Sequence, residues 1–193
     1  MLLKLNLKED TLQKLRQITC SNKYDFLGFT LDLQESTIAD NFDQTAKTLG
    51  EWHIQLLSML LTHYSKANAV PLSSRLIKFK DLPGGCAYEG AFIKRAMQPI
   101  ADVFGDKPQE LPRAAQQLGG KTLKLGDASA EIPALSGIPL TYILYGAEDY
   151  PGSANILYDE SASIYLPTED LAVLGEITSV RLIEAKKKIS KTS

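Results

Sequence analysis

Apart from one short strand, the apolar residues between Trp52 and Leu118 recur at helical spacing, whereas beyond Gly119-Gly120 they alternate. That change of period constrains the chain more than any other feature, because a 3.6-residue stripe and a 2-residue alternation bury different surfaces. Leu123 and Leu125, then Ala130 and Ile132, alternate about Gly126-Asp127, which predicts a two-residue hairpin. Ser136-Gly137 predicts a second turn before Leu140, Tyr142 and Leu144, and Ile156 to Tyr158 adds a further strand. Strands following one another through tight turns pair antiparallel, unlike the βαβ alternation of a parallel sheet.

The helical part begins with Leu12, Leu15 and Ile18 on one stripe of a helix over Lys8 to Ile18. Tyr24 and Phe26 alternate in one phase and Phe29, Leu31 and Leu33 in the other, so Gly28 reads as a β-bulge or bend. Thr48 and Glu51 have capping-box spacing and open a core helix to Tyr64, with Trp52, Leu56, Leu57, Leu60 and Leu61 inward. Arg75 to Phe79 is a short strand. A helix from Ala87 to Phe104 is expected to place Tyr88, Phe92, Ile93, Met97, Ile100 and Phe104 inward, with a kink at Pro99. Leu111 to Leu118 forms a shorter helix. Thr168 caps the last one, whose inward residues are Leu171, Leu174, Ile177, Val180 and Ile183. The expected fold class is α+β, with helices packed on a mainly antiparallel sheet and a C-terminal helix. Residues 1–185 read as a single domain and the basic tail, 186–193, as frayed.

The longest apolar run, Leu56 to Leu61, is far shorter than a bilayer span, and Met1 to Asp10 lacks the apolar core of a signal peptide. A cytoplasmic location follows as the expectation, with no membrane partner. Cys20 and Cys86, with His53 and His63, match no zinc spacing and are too few for an iron–sulfur cluster. A net charge of −2 argues against nucleic acid. From Leu125 to Val180 there is no Lys, Arg or His, while nine Asp and Glu fall there. The acidic and basic parts therefore either face each other or present surfaces of two signs.

Several blocks carry a resemblance. They are Leu61-Thr62-His63-Tyr64, Ile77-Lys78-Phe79-Lys80-Asp81-Leu82-Pro83-Gly84-Gly85 with Tyr88 and Phe92, and Phe104-Gly105. They continue with Leu118-Gly119-Gly120, Leu125-Gly126-Asp127, Pro139 and Gly146-Ala147-Glu148-Asp149-Tyr150-Pro151. The last are Ser153-Ala154-Asn155-Ile156-Leu157-Tyr158-Asp159 and Leu166-Pro167-Thr168-Glu169-Asp170-Leu171. Together they resemble a bacterial and archaeal family known only as domain of unknown function 3786. The resemblance implies an anaerobic setting in redox or one-carbon metabolism, where some members are joined to iron–sulfur modules. It implies no reaction, no cofactor and no catalytic residues. This chain lacks the cysteines of the fused members, so a cluster would sit on a partner protein.

The strongest local candidate for chemistry is Leu82 to Gly90. A glycine turn there opens a helix whose first amides lack internal partners, an arrangement suited to a small anionic ligand. The candidate ligand-binding residues are Gly84, Gly85, Cys86 and Tyr88, with Lys94 and Arg95 reaching back. The pattern is neither the dinucleotide fingerprint nor a P-loop. Its plain structural reading is a type II turn at Pro83-Gly84, with Gly85 permitting close packing. Cys86 at a helix start is placed for thiolate chemistry, and small buried apolar packing is the alternative. His63 reads as a partner of its own helix's last carbonyls, or as a metal or cofactor ligand. The pairs Glu148/Asp149, Asp159/Glu160 and Glu169/Asp170 read as a solvated acidic rim or, if they converge, a site for a hard cation. The functional expectations are an accessory or ligand-binding domain, an enzyme using Cys86 or a carboxylate-bound metal, or an interaction module with an acidic surface.

Overall fold

The phase slip at Gly28 is a hairpin, not a bulge. Leu27 and Gly28 both take positive φ, 48° and 75°, and reverse the chain in two residues. They join β2 (Lys23–Phe26) to β3 (Phe29–Asp32) with Phe26 opposite Phe29. The sequence hid this turn because leucine is an unusual occupant of the left-handed region. The computed structural model describes residues 2–42, 51–147 and 151–192. With β1 (Leu2–Lys4) and β4 (Thr37–Asp40), the hairpin forms a four-stranded antiparallel sheet of order β1-β4-β3-β2. Helix α1 (Glu9–Thr19) buries Leu12 and Leu15 and touches α2 (Glu51–Tyr64). The predicted capping residue Thr48 and the side chains of Glu51, Trp52 and His53 lie outside the described residues. Leu57, Leu60, Leu61 and Tyr64 of α2 are buried.

The strands are divided between two sheets, and the alternating half of the sequence supplies most of the second. Here β5 (Leu76–Lys78), β6 (Lys121–Leu123), β7 (Ala128–Leu135), β8 (Ile138–Tyr145) and β9 (Ser153–Asp159) pair antiparallel in the order β5-β9-β8-β7-β6. Ser136-Gly137 makes the expected two-residue turn, with Leu135 opposite Ile138. The turn at Gly126-Asp127 is longer than expected, because the Asp127 N–H donates to the Leu144 carbonyl and its carboxylate accepts the Gly146 N–H. Asp127 is thereby drawn to β8.

One face of this sheet carries the helices. A continuous helical rod comprises α3 (Gly85–Phe92), a π-turn over Ile93–Met97 and α4 (Gln98–Phe104). Pro99 cannot donate to the Arg95 carbonyl, and the helix widens just before it. The wide turn carries the buried stripe through Phe92, Ala96, Ile100 and Phe104, each four apart, and leaves Ile93 exposed rather than inward; Tyr88, one turn before Phe92, is exposed as well. Helix α5 (Glu110–Gln116) ends as predicted at Gly119, with φ of 74°. After the short α6 (Ala162–Tyr165), helix α7 (Thr168–Thr192) crosses the rod, α2 and α5. Among the described residues no helix is long and apolar enough to cross a membrane.

The inward face of α7 is set by two phenols rising from the sheet. The Tyr142 hydroxyl meets the Gly175 carbonyl at 3.2 Å and Ser179 Oγ at 3.0 Å, and the Tyr158 hydroxyl donates to the Leu171 carbonyl at 2.9 Å. Burial raises both phenols, so they stay neutral donors. This polar demand turns Thr178 and Ser179 inward and leaves Val180 half exposed, contrary to the sequence expectation. A Cβ on Gly175 would lie 2.6 Å from the Tyr158 oxygen, which is why glycine stands there. Nor does the tail fray at Lys186. Its Nζ donates to the Val103 carbonyl at 2.6 Å, pairs with Glu110 at 2.8 Å and lies over the Phe104 ring, and the helix runs on to Thr192.

Arg181 ties α7 to the four-stranded sheet. Its guanidinium makes two bonds to Asp40, at 2.7 and 2.9 Å, and donates to the carbonyls of Leu27 and Gly28. The rings of Phe29 and Phe42 lie 4.0 and 4.5 Å from it. Both charges are buried.

Asp159 is buried at the end of β9 and is not part of a solvated rim. Its carboxylate accepts the N–H and hydroxyl of Ser73, the Ser74 N–H, and the N–H and hydroxyl of Ser161. Burial pulls its pKa upward, but the donors of Ser161 and Ser73 outweigh that and bring it to about 2. The charged form is therefore favoured by folding. Its contribution is complete above about pH 4 and is lost as pH falls through about 2. Asp159→Asn is expected to lower stability by about 2 kcal/mol at pH 7 and to flatten the acid limb between pH 4 and 2. Urea midpoints of the two proteins at pH 7, 4 and 2.5 would show whether the gap narrows with acid.

Candidate functional site

The region from Leu82 to Arg95 starts with a turn whose glycines have structural reasons. The Gly85 N–H donates to the Leu82 carbonyl at 2.9 Å, and Gly84 takes φ 76° and ψ 0°, a type II turn with Pro83 at its first corner. A Cβ on Gly85 would collide with the Phe79 carbonyl oxygen. The plain reading of Pro83-Gly84-Gly85 thus holds. The same turn leaves the start of α3 open, since nothing lies within 4 Å of where a Gly84 Cβ would be. The N–H groups of Gly85 and Ala87 are used within the turn. Among the described residues the Cys86 N–H has no acceptor, and the Cys86 side chain is exposed.

Gly90 follows one turn later on the exposed side of α3. It has no positive φ, and nothing approaches within 4 Å of its missing Cβ. Cys86, Gly90 and Lys94 are each four residues apart, so they share one row along the helix. Lys94 is exposed in the π-turn, roughly 12 Å along the axis from Cys86 at 1.5 Å per residue. It therefore stands at the far end of a ledge and does not reach back over the amides. Arg95 turns toward α7 and meets Glu176 at 3.7 Å. Half-exposed Tyr88 lies in the same helix.

The first turn of α7 supports this region from behind. The Thr168 hydroxyl donates to the Pro83 carbonyl at 2.7 Å, tying the glycine turn to α7. Two residues on, the buried Asp170 carboxylate meets His63 Nδ1 at 2.5 Å, where the sequence suggested a carbonyl of the histidine's own helix. Thr168 and Asp170 are contacts that sequence reasoning missed, because their partners lie 85 and 107 residues away. Gly90 was not singled out either, although a glycine inside a helical pattern is the signal that could have found it.

Part of the acidic stretch faces cations of its own chain. Glu160 pairs with Arg75, Glu176 with Arg95 and Glu131 with Lys121, while Asp170 is bonded to His63. Among the described residues no three His, Cys, Asp or Glu side chains are grouped to hold a metal ion. Glu148 and Asp149 lie outside those residues. The family model described as Domain of unknown function (DUF3786) matches residues 17–181. No curated protein and no solved structure matches the chain.

Proposed function

The chain belongs to the DUF3786 family, and from that premise we propose that it is a ligand-binding accessory domain that holds an anionic small molecule along α3. The observation that carries this reading is Gly90. Glycine inside a helix costs about 1 kcal/mol relative to alanine, and neither backbone conformation nor packing asks for it here. The missing side chain instead leaves a flat surface for something from outside the chain. In this reading an anionic group sits at the Cys86 N–H, where the helix dipole favours it, and a second polar end meets the Lys94 ammonium. Gly84 and Gly85 hold the amides in place. Tyr88 flanks the ledge, and Arg95, shared with Glu176, adds positive potential. Cys86 is then the ligand's neighbour rather than a nucleophile.

The domain works in the cytoplasm in this reading, in the anaerobic redox or one-carbon setting that the family resemblance implies. Any iron–sulfur cluster is carried by a partner protein. Both sheets act as one domain in this reading, which the Arg181 bonds from α7 to the four-stranded sheet support. An acidic docking surface has less support, since Glu131, Glu160 and Glu176 already face cations of this chain and Asp170 is buried against His63.

Pyrophosphate titrated into labelled protein is expected to move the amide resonances of Gly84, Cys86 and Gly90. Gly90→Leu covers the ledge without weakening the helix and is expected to reduce binding at least tenfold, as is Lys94→Ala. Unchanged affinity in both variants, or an unmoved Cys86 amide, overturns the reading. Independently of any ligand, Gly90→Ala is expected to raise stability by about 1 kcal/mol in urea unfolding.

A further inference from the structure

Among the described residues, helices cover one face of the five-stranded sheet and no element packs on the other. The pleat decides which side chains the bare face receives. Tyr142, Ile156 and Tyr158 point to the helices, so Thr141, Ile143, Tyr145, Asn155 and Leu157 point away. The solvated face of an antiparallel sheet is normally polar. Here Ile143 and Leu157 lie half-buried on it outside the core, and Leu76 and Tyr145 are 43% and 44% exposed.

One row of residues runs straight across the strands. Lys78 lies opposite Leu157, Leu157 opposite Thr141, Thr141 opposite Glu131, and Glu131 opposite Lys121. Glu131 Oε1 meets Lys121 at 2.7 Å, and its Oε2 has no donor among the described residues. No acid of the described residues pairs with the exposed Lys78 ammonium at the β5 edge. A flat, partly apolar face with a free cation on one side and an open carboxylate oxygen on the other complements itself when turned over.

We propose that this face joins two copies of the chain, sheet against sheet. A twofold axis in the interface, parallel to the strands and between β8 and β9, sets β5 of one copy over β7 of the other and β8 over β9. Lys78 then meets Glu131 of the second copy, Leu157 lies over Thr141, and Ile143 over Asn155, each contact made twice. Aligned sheets pack about 10 Å apart, within reach of a lysine and a glutamate. Four strands overlap over about 19 Å by roughly 24 Å, so about 500 Å² of each copy is covered, near the lower limit for a specific interface. The association is therefore reversible and depends on concentration. Phe92 of α3 touches Tyr158 on the opposite face of the sheet, so the ledge on α3 stays open in the dimer.

Sedimentation equilibrium in reductant, which keeps the exposed Cys20 and Cys86 from cross-linking copies, is expected to show monomer and dimer exchanging between about 10 and 500 µM. Lys78→Glu and Glu131→Lys each set like charges face to face and are expected to weaken the dimer at least tenfold. An equimolar mixture of the two variants restores opposite charges in both pairs and is expected to recover most of the parent's association. Mixing also separates the interface from any loss of folding, which a second damaged chain would not repair. A parent that stays monomeric to about 500 µM, a dimer that neither reversal weakens, or a mixture no tighter than the separate variants each overturns the proposal.

Discussion

Arg181→Met is expected to remove about 3–5 kcal/mol of stability, the usual cost of leaving half of a buried ion pair behind. Methionine is long enough to fill much of the space between Phe29 and Phe42. It cannot donate to Asp40 or to the Leu27 and Gly28 carbonyls. The loss is a large part of the 5–15 kcal/mol that holds a typical domain together, so a urea midpoint will register it clearly. Arg181→Lys is expected to lose nearly as much, because an ammonium cannot form the bidentate fork and lie flat between two rings. Arg181→Met combined with Asp40→Leu removes the fully buried pair, leaving only the partly exposed Glu184 carboxylate, and should recover part of the loss. A single variant within 1 kcal/mol of the parent would mean that the sheets are held together by something else.

Gly85→Ala carries the second large effect. A methyl there meets the Phe79 carbonyl oxygen, a backbone atom that cannot rotate away. The turn must then shift, and the Thr168 bond to Pro83 shifts with it. A loss of about 3 kcal/mol is expected, at the upper end for overpacking. Gly84→Ala is the control. It has open space and only the strain of φ 76°, which costs about 1–2 kcal/mol. Thermal unfolding should rank Gly85→Ala clearly below Gly84→Ala. The reverse order would show that backbone strain, not the close approach, fixes the geometry of this turn.

Features legible in the sequence were those decided within a few residues. Gly119 ending α5 and Ser136-Gly137 turning β7 into β8 each depend on one local φ requirement, which glycine announces. The antiparallel meander was visible for the same reason. What escaped was decided across the fold. Leu27 tolerates a left-handed φ because its side chain is buried and Arg181 holds its carbonyl, a contact 154 residues away. Val180 yields the inward face of α7 to Ser179 because Tyr142 needs a polar partner. Ile93 faces outward because the rod widens at Ile93–Met97, a departure from 3.6 residues per turn that no hydrophobic stripe reveals. The type II turn of the candidate site was readable, and the end of α3 at which Lys94 stands was not, for that same reason.

The pairing of Asp40 with Arg181 also orders events during synthesis. The guanidinium lies 141 residues after the carboxylate it neutralises, which at about 5–20 residues per second is roughly 7–30 seconds of elongation. Throughout that interval a four-stranded sheet closed over Asp40 would bury a charge without its guanidinium. The nascent amino-terminal strands therefore stay open to chaperones until the last helix emerges, and a stall before codon 181 should leave them sensitive to protease.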